Sequence, residues 1–236
     1  MSRFIQKIKK DKFSTSVVIL SAGVGNRIKS YEPRSLLKIG GDTLLDHQIQ
    51  TVNNAFQNPE VIVTLGYSAN KVIKKTKSNL RVVENQLYSS TGSLESLRLG
   101  VNNCTGDGIL FFHGDLYFNL KTLDSLDYSR SFIIVDSKDR IADREVGVTY
   151  VNGWATILSY GLKTKWAQIA FITGKELSIL KAMCLKNDES LKQKLTFEAL
   201  NMILSKGGKI KCYEPMDMSI IEIDCMKDLQ NENFNI

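Results

Sequence analysis

Long apolar runs are missing from this chain of 236 residues. None approaches the roughly 20 residues that a bilayer-spanning helix needs. The stretch from Met1 to Lys12 lacks the apolar segment of a secretory signal. Cysteine is sparse: Cys104, Cys184, Cys212 and Cys225 stand far apart, and no C-x-x-C pair occurs. With only two histidines, His47 and His113, no zinc site is expected. The cysteines read as free thiols, which implies a reducing, cytoplasmic setting. No P-loop pattern, G-x-x-x-x-G-K-[ST], is present. No internal repeat or low-complexity linker divides the chain, so one domain over 16–236 is expected behind a basic arm at 1–15.

What is present is ordinary in amount. The 43% hydrophobic and 24% charged content fits a globular protein with a real core. The net charge of +6 admits anionic ligands, but it is not concentrated enough to require nucleic acid. In the arm, Arg3, Lys7, Lys9, Lys10 and Lys12 alternate with Phe4, Ile5, Ile8 and Phe13. It reads as a short surface helix or loose terminal segment, with a membrane-surface helix as the alternative.

From Ser16 a strand–helix rhythm begins. Runs at 16–20, 60–65, 80–84, 108–112 and 131–136 are β-branched or aromatic and almost continuously apolar, as strands buried on both faces should be. Helices are expected over 43–56, with Leu45, Ile49, Val52 and Phe56 on one stripe, and over 68–76 and 92–103. The alternation predicts a parallel sheet with helices on both faces. After about residue 140 the rhythm changes. Asn152-Gly153 signals a hairpin between 146–151 and 155–160. A helical region follows over about 175–205, broken near Asn187-Asp188 and stopped at Gly207-Gly208. Strands at 209–213 and 219–224 close the chain.

The segment Leu20-Ser21-Ala22-Gly23-Val24-Gly25-Asn26-Arg27 runs from a buried strand into a turn with two glycines and a cation. Such a turn lets backbone amides approach a polyphosphate. A dinucleotide fingerprint would need a third glycine where Ile28 stands, and an acid where the second strand ends in Leu65-Gly66-Tyr67. A dehydrogenase is therefore disfavoured. Pro33 fixes the backbone before a second cation, Arg34. Leu36 to Asp46 leads into a helix that Thr43 can cap.

Two acid positions stand out. Asp115 follows the strand Ile109–Phe112, where open α/β sheets bind ligands, and a carboxylate there suits a divalent cation shared with phosphates. A plain Gly-Asp turn is the alternative. Near the end, alternation puts Glu222 and Asp224 on one face, and Asp224 can instead cap a following helix. Strand 80–84 runs into Asn85, and a small polar turn at 89–93 opens a helix whose amides can meet polar ligand groups. Helix capping by Thr91 or Ser93 is the alternative there. His47 and His113 read as structural.

At Leu20–Arg27 and Pro33–Asp46 the chain resembles the nucleotidyltransferases that act on sugar-1-phosphates and choline phosphate. Their signature is L-[AS]-A-G-x-G-x-R, then P-K-x-L-L and G-x-[TP]-L-[LI]-[DE]. Arg34 departs from it, standing where the signature has lysine. The resemblance implies a Rossmann-like α/β fold with a mixed, mainly parallel sheet. It divides the chain into a nucleotide-binding half, 16–140, and an acceptor half, 141–236, with a hairpin and helical subregion. It assigns nucleotide contacts to Leu20, Ala22, Gly23, Gly25, Asn85, Ser90, Gly92 and Ser93. Arg27 and Arg34 would meet the phosphates, and Asp115 and Asp224 would bind Mg2+. Lys163 would approach an acceptor phosphate, with a solvated surface lysine as the alternative for it and for Lys165. The closing segment is most similar to that of the small cytidylyltransferases. The expected reaction transfers CMP from CTP to a phosphocholine-like, phospho-amino-alcohol or sugar phosphate. A uridylyl, guanylyl or thymidylyl enzyme is the alternative, as is a nucleotide-binding pseudoenzyme, because of Arg34. A homo-oligomer is compatible with all of these, and no nucleic acid or integral membrane segment is expected.

Overall fold

A computed structural model describes residues 14–24, 32–78, 80–124, 126–138 and 141–223. The basic arm, apart from Ser14 and Thr15, lies outside them, as do Gly25, Arg27 and Asp224. The first strand, β1 (Thr15–Ser21), is flanked by two parallel strands, β4 (Glu60–Leu65) and β6 (Gly108–His113). A further parallel strand, β5 (Arg81–Glu84), lies outside β4. Both faces of β1 are covered, which is why its sequence is apolar at every central position. Val17 and Ile19 pack with Leu45, Ile49 and Val52 of helix α1 (Leu44–Ala55) and Val72 of α2 (Ala69–Lys75). Val18 faces the other way, into Leu94 and Leu97 of α3 (Ser93–Val101). The helices expected over 43–56, 68–76 and 92–103 are present. Thr43 caps α1 through a reciprocal capping box with Asp46.

The helix α3 lies very close to the sheet. A Cβ at Gly100 would come within 2.4 Å of Val18 Cγ1, so the missing side chain is what permits that approach.

The second half adds strands of both directions. The expected hairpin forms from β9 (Val146–Val151) and β10 (Trp154–Tyr160). A long strand, β11 (Thr164–Thr173), was not evident from the sequence, because Lys165 and Gln168 interrupt its apolar pattern. It occupies the middle of the sheet, antiparallel to both β6 and β8 (Phe132–Asp136). With β12 (Lys211–Tyr213) the order is β5-β4-β1-β6-β11-β8-β12-β10-β9. The sheet is mixed and flanked by helices, as expected. Parallel pairing is confined to β5-β4-β1-β6 and the β12–β8 pair. The two-residue connection of the β9–β10 hairpin can join only antiparallel neighbours.

The helical region divides into α4 (Gly174–Leu185), α5 (Glu189–Lys192) and α6 (Thr196–Ser205). Gly208 N donates to Ile203 O as the last turn closes, and Gly207 has φ +76°. Two small ribbons complete the fold. One joins β2 (Lys38–Ile39) to β3 (Asp42–Thr43). The other pairs β7 (Leu116–Phe118) antiparallel with β13 (Ile220–Glu222).

Candidate active site

The parallel strands end along one edge, and a cleft of about 480 Å³ opens there. Such an edge is where open α/β sheets place ligands. Leu20, Ala22 and Gly23 line it from the end of β1, Asp115 from the end of β6, and Arg34 from the turn after Pro33. Arg34 is held by a tight 3-10 turn, in which Leu36 N donates to Pro33 O at 2.9 Å and Leu37 N to Arg34 O at 2.9 Å. Pro33 has φ −56°, the value its ring enforces.

Arg34 reaches across the cleft to Asp115, with Nη1 2.5 Å from Oδ2. Both side chains are largely buried. The other carboxylate oxygen, Asp115 Oδ1, is buried with no hydrogen-bond partner, as are Ser21 Oγ and Ser35 Oγ on the same cleft. Buried polar atoms are normally satisfied. Three unsatisfied oxygens on one cleft fit a polar ligand, and an orphaned carboxylate oxygen fits a hard divalent cation. No group of three or more candidate ligands occurs among the described residues. The main chain also brings β13 here, because Ile223 N donates to Asp115 O at 2.9 Å.

Asn85 lines the cleft but is fully employed within the protein. Its Nδ2 donates to Thr91 Oγ1 and Ser96 Oγ, each at 3.1 Å, and its Oδ1 accepts from Leu87 N at 3.1 Å. Its side chain shapes the loop before α3. The start of α3 differs from expectation. Gly92 N donates to Lys192 O at 2.7 Å and Leu94 N to Lys194 O at 3.0 Å. These amides are taken by the α5–α6 connection, which packs so closely that a Cβ on Gly92 would sit 2.2 Å from Lys194 O. Neither Thr91 nor Ser93 caps the helix; Ser93 Oγ accepts from Thr196 N at 3.0 Å. Gly92 and Ser93 still line the cleft, whereas Ser90 is exposed and does not.

A second cavity, of about 350 Å³, adjoins the first and shares Ser93, His113 and Glu222 with it. Its walls include Trp166, Tyr160 and Phe197, the last two rings meeting edge to face at 5.5 Å. Asp143, Arg144 and Glu145 supply charge. Lys163 is exposed in the turn before β11 and lines neither cavity. Lys165 is more buried and pairs with Glu145 at 2.7 Å, and it too lines neither cavity. His113 bonds Thr196 Oγ1 at 3.0 Å and meets the Trp166 ring edge-on. Burial lowers its pKa and the Asp115 charge opposes that shift, and the side chain ties β6 to α6. Sequence reasoning missed Glu222 as a cleft residue, although it noted its face, and missed Gln168 altogether.

This fold is similar to that of solved nucleotidyltransferases. It superposes on the inositol-1-phosphate CTP transferase from T. maritima with a TM-score of 0.71 at 16% identity, covering 91% of this chain and 90% of that one. For the CTP:phosphocholine cytidylyltransferase LicC from Streptococcus pneumoniae the TM-score is 0.71 at 18% identity, with 92% and 97% covered. At the level of sequence, the MobA-like NTP transferase domain matches residues 17–130. The bifunctional protein GlmU of Campylobacter concisus is 31% identical over 106 residues, 44% of this chain and 23% of the relative. The chain thus matches about a quarter of the length of such relatives. The resemblance read from the sequence holds, and residues 17–130 are the part that carries it. No described helix is long and apolar enough to cross a membrane.

Proposed function

We propose that the protein transfers a nucleoside monophosphate from an NTP to a small phosphorylated acceptor and releases pyrophosphate. The observation that carries this reading is Asp115, with an orphaned buried oxygen, facing Arg34 in a cleft that continues into a second cavity. An acceptor phosphate oxygen attacks the α-phosphorus, that P–O bond forms, and the bond to the bridging oxygen of pyrophosphate breaks. The nucleophile is already an anion, so no general base is required. The chemistry rests on positioning and electrostatics.

Asp115, with Asp224 as its partner, would hold Mg2+, which when bound neutralises charge on the α-phosphate and the leaving group. Gly23, Gly25 and Arg27 would cradle the outer phosphates. Arg34 would leave Asp115 for the phosphate chain. Leu20, Ala22, Asn85, Gly92 and Ser93 would border the nucleoside.

CTP is the proposed nucleotide, supported by the two structural neighbours whose names specify CTP. The second cavity supports a phosphocholine-like or other phospho-amino-alcohol acceptor, since aromatic walls and carboxylates attract an organic cation. The test is pyrophosphate release with a panel of four NTPs against phosphocholine, phosphoethanolamine and sugar-1-phosphates. Asp115→Ala is expected to abolish turnover. Turnover surviving that substitution would remove the metal assignment, and nucleotide binding without release would favour a pseudoenzyme.

A further inference from the structure

Five described residues other than glycine have positive φ, and four of them lie in turns, bends or at a helix start. Gln168 does not. It sits inside β11 with φ +58°. A side chain disfavours that backbone region, and glutamine has no local hydrogen bond of the asparagine kind to offset it.

The surrounding pairing explains how it arises. Trp166 lies opposite Val135 and Ala170 opposite Ile133, so β11 carries two residues more than β8 over this stretch. The excess is a bulge, and Trp166 Nε1 donates to Ile169 O at 3.2 Å across it. The bulge aims the Gln168 amide at the seam between the two cavities. There Nε2 donates to Glu222 Oε2 at 2.7 Å. Glu222 lines both cavities, and Gln168 lines the second. Backbone strain retained beside a site suggests a constraint on geometry there.

We infer that Gln168 is a positioning residue, which fixes the Glu222 carboxylate where the acceptor enters and so sets acceptor recognition. This rests on the transferase reading above. The bulge is where β11 departs from regular pairing, and the amide donates to Glu222 from within it. Glycine would suit the backbone better and lose the donor, so stability and acceptor binding separate at this position.

The experiment compares wild type, Gln168→Gly and the exchanged pair Gln168→Glu with Glu222→Gln, using CTP, Mg2+ and phosphocholine. Gln168→Gly is expected to keep or raise Tm and to raise the KM for phosphocholine about tenfold, with kcat and the KM for CTP within about twofold. The exchanged pair restores an amide–carboxylate hydrogen bond but moves the charge, so its acceptor KM is expected to stay high. An unchanged acceptor KM in Gln168→Gly would overturn the inference. So would its full recovery in the exchanged pair, or a common shift of kcat and both KM values. Failure of the unsubstituted protein to release pyrophosphate with any acceptor would instead overturn the transferase reading beneath it.

Discussion

Arg34 and Asp115 lie 81 positions apart in sequence, yet form an ion pair at the centre of the cleft. Replacing the signature lysine with arginine has a geometric consequence. The guanidinium is longer and planar, and it can span the cleft to a carboxylate. A divalent cation bound at Asp115 must compete with it. Arg34→Ala is therefore expected to tighten Mn2+ binding without nucleotide by about tenfold, as a charge-assisted contact worth about 1.4 kcal/mol would imply. Paramagnetic titration measures this, and equal affinity in wild type and variant would show that the pair does not compete. Asp46 illustrates a structural carboxylate. Burial opposes its charge, but hydrogen bonds from Thr43 and Ser78 outweigh burial and lower its pKa. A group lowered on folding stabilises above its unfolded pKa and loses that contribution as pH falls through the folded value. Asp46→Asn should cost about 2 kcal/mol at pH 7 in urea unfolding. The gap from wild type should narrow below about pH 4.

Among the elements, β1 and α3 were legible because their patterns are local. Continuous apolar character requires cover on two faces, and the stripe along α3 supplies one of them. Their separation depends on one residue. Gly100→Ala would improve helix propensity by about 1 kcal/mol, yet its Cβ would overlap Val18. A net destabilisation of about 1–2 kcal/mol is expected, seen as a lower urea midpoint at unchanged m-value. A gain in stability would mean that α3 can move off the sheet. β11 was not legible for the opposite reason. A bulge breaks the period of two, and Lys165 and Gln168 fall where a regular buried strand would be apolar. The start of α3 was misread in a similar way. Its amides look free in sequence, and only the α5–α6 connection, about a hundred residues further on, occupies them.

At the scale of the whole molecule, the cleft gathers segments from both halves of the chain. Glu222 on β13 reaches it because β13 pairs with β7 directly after Asp115. A ligand that bridges these segments stabilises the folded state as a unit. CTP with Mg2+ at about a hundredfold over Kd should add about 2.7 kcal/mol and raise Tm by roughly 5–10 °C for a chain of this size. The same addition to Asp115→Ala should give a much smaller shift. An equal shift in both would mean that the nucleotide binds without that carboxylate.

The sequence alone determined the parallel half, the hairpin, the capped helix α1 and the position of Gly23 and Asp115 at one strand edge. Each follows from short-range periodicity or from the direction of parallel strands, which local residue order encodes. Tertiary structure decided the rest: the antiparallel insertion of β11, the Arg34–Asp115 contact, the occupied amides of α3, the Lys165–Glu145 pair, and the Gln168–Glu222 pair. These depend on which distant backbone and side-chain groups meet. That is settled by the packing of the whole sheet and not by the spacing of residues along the chain.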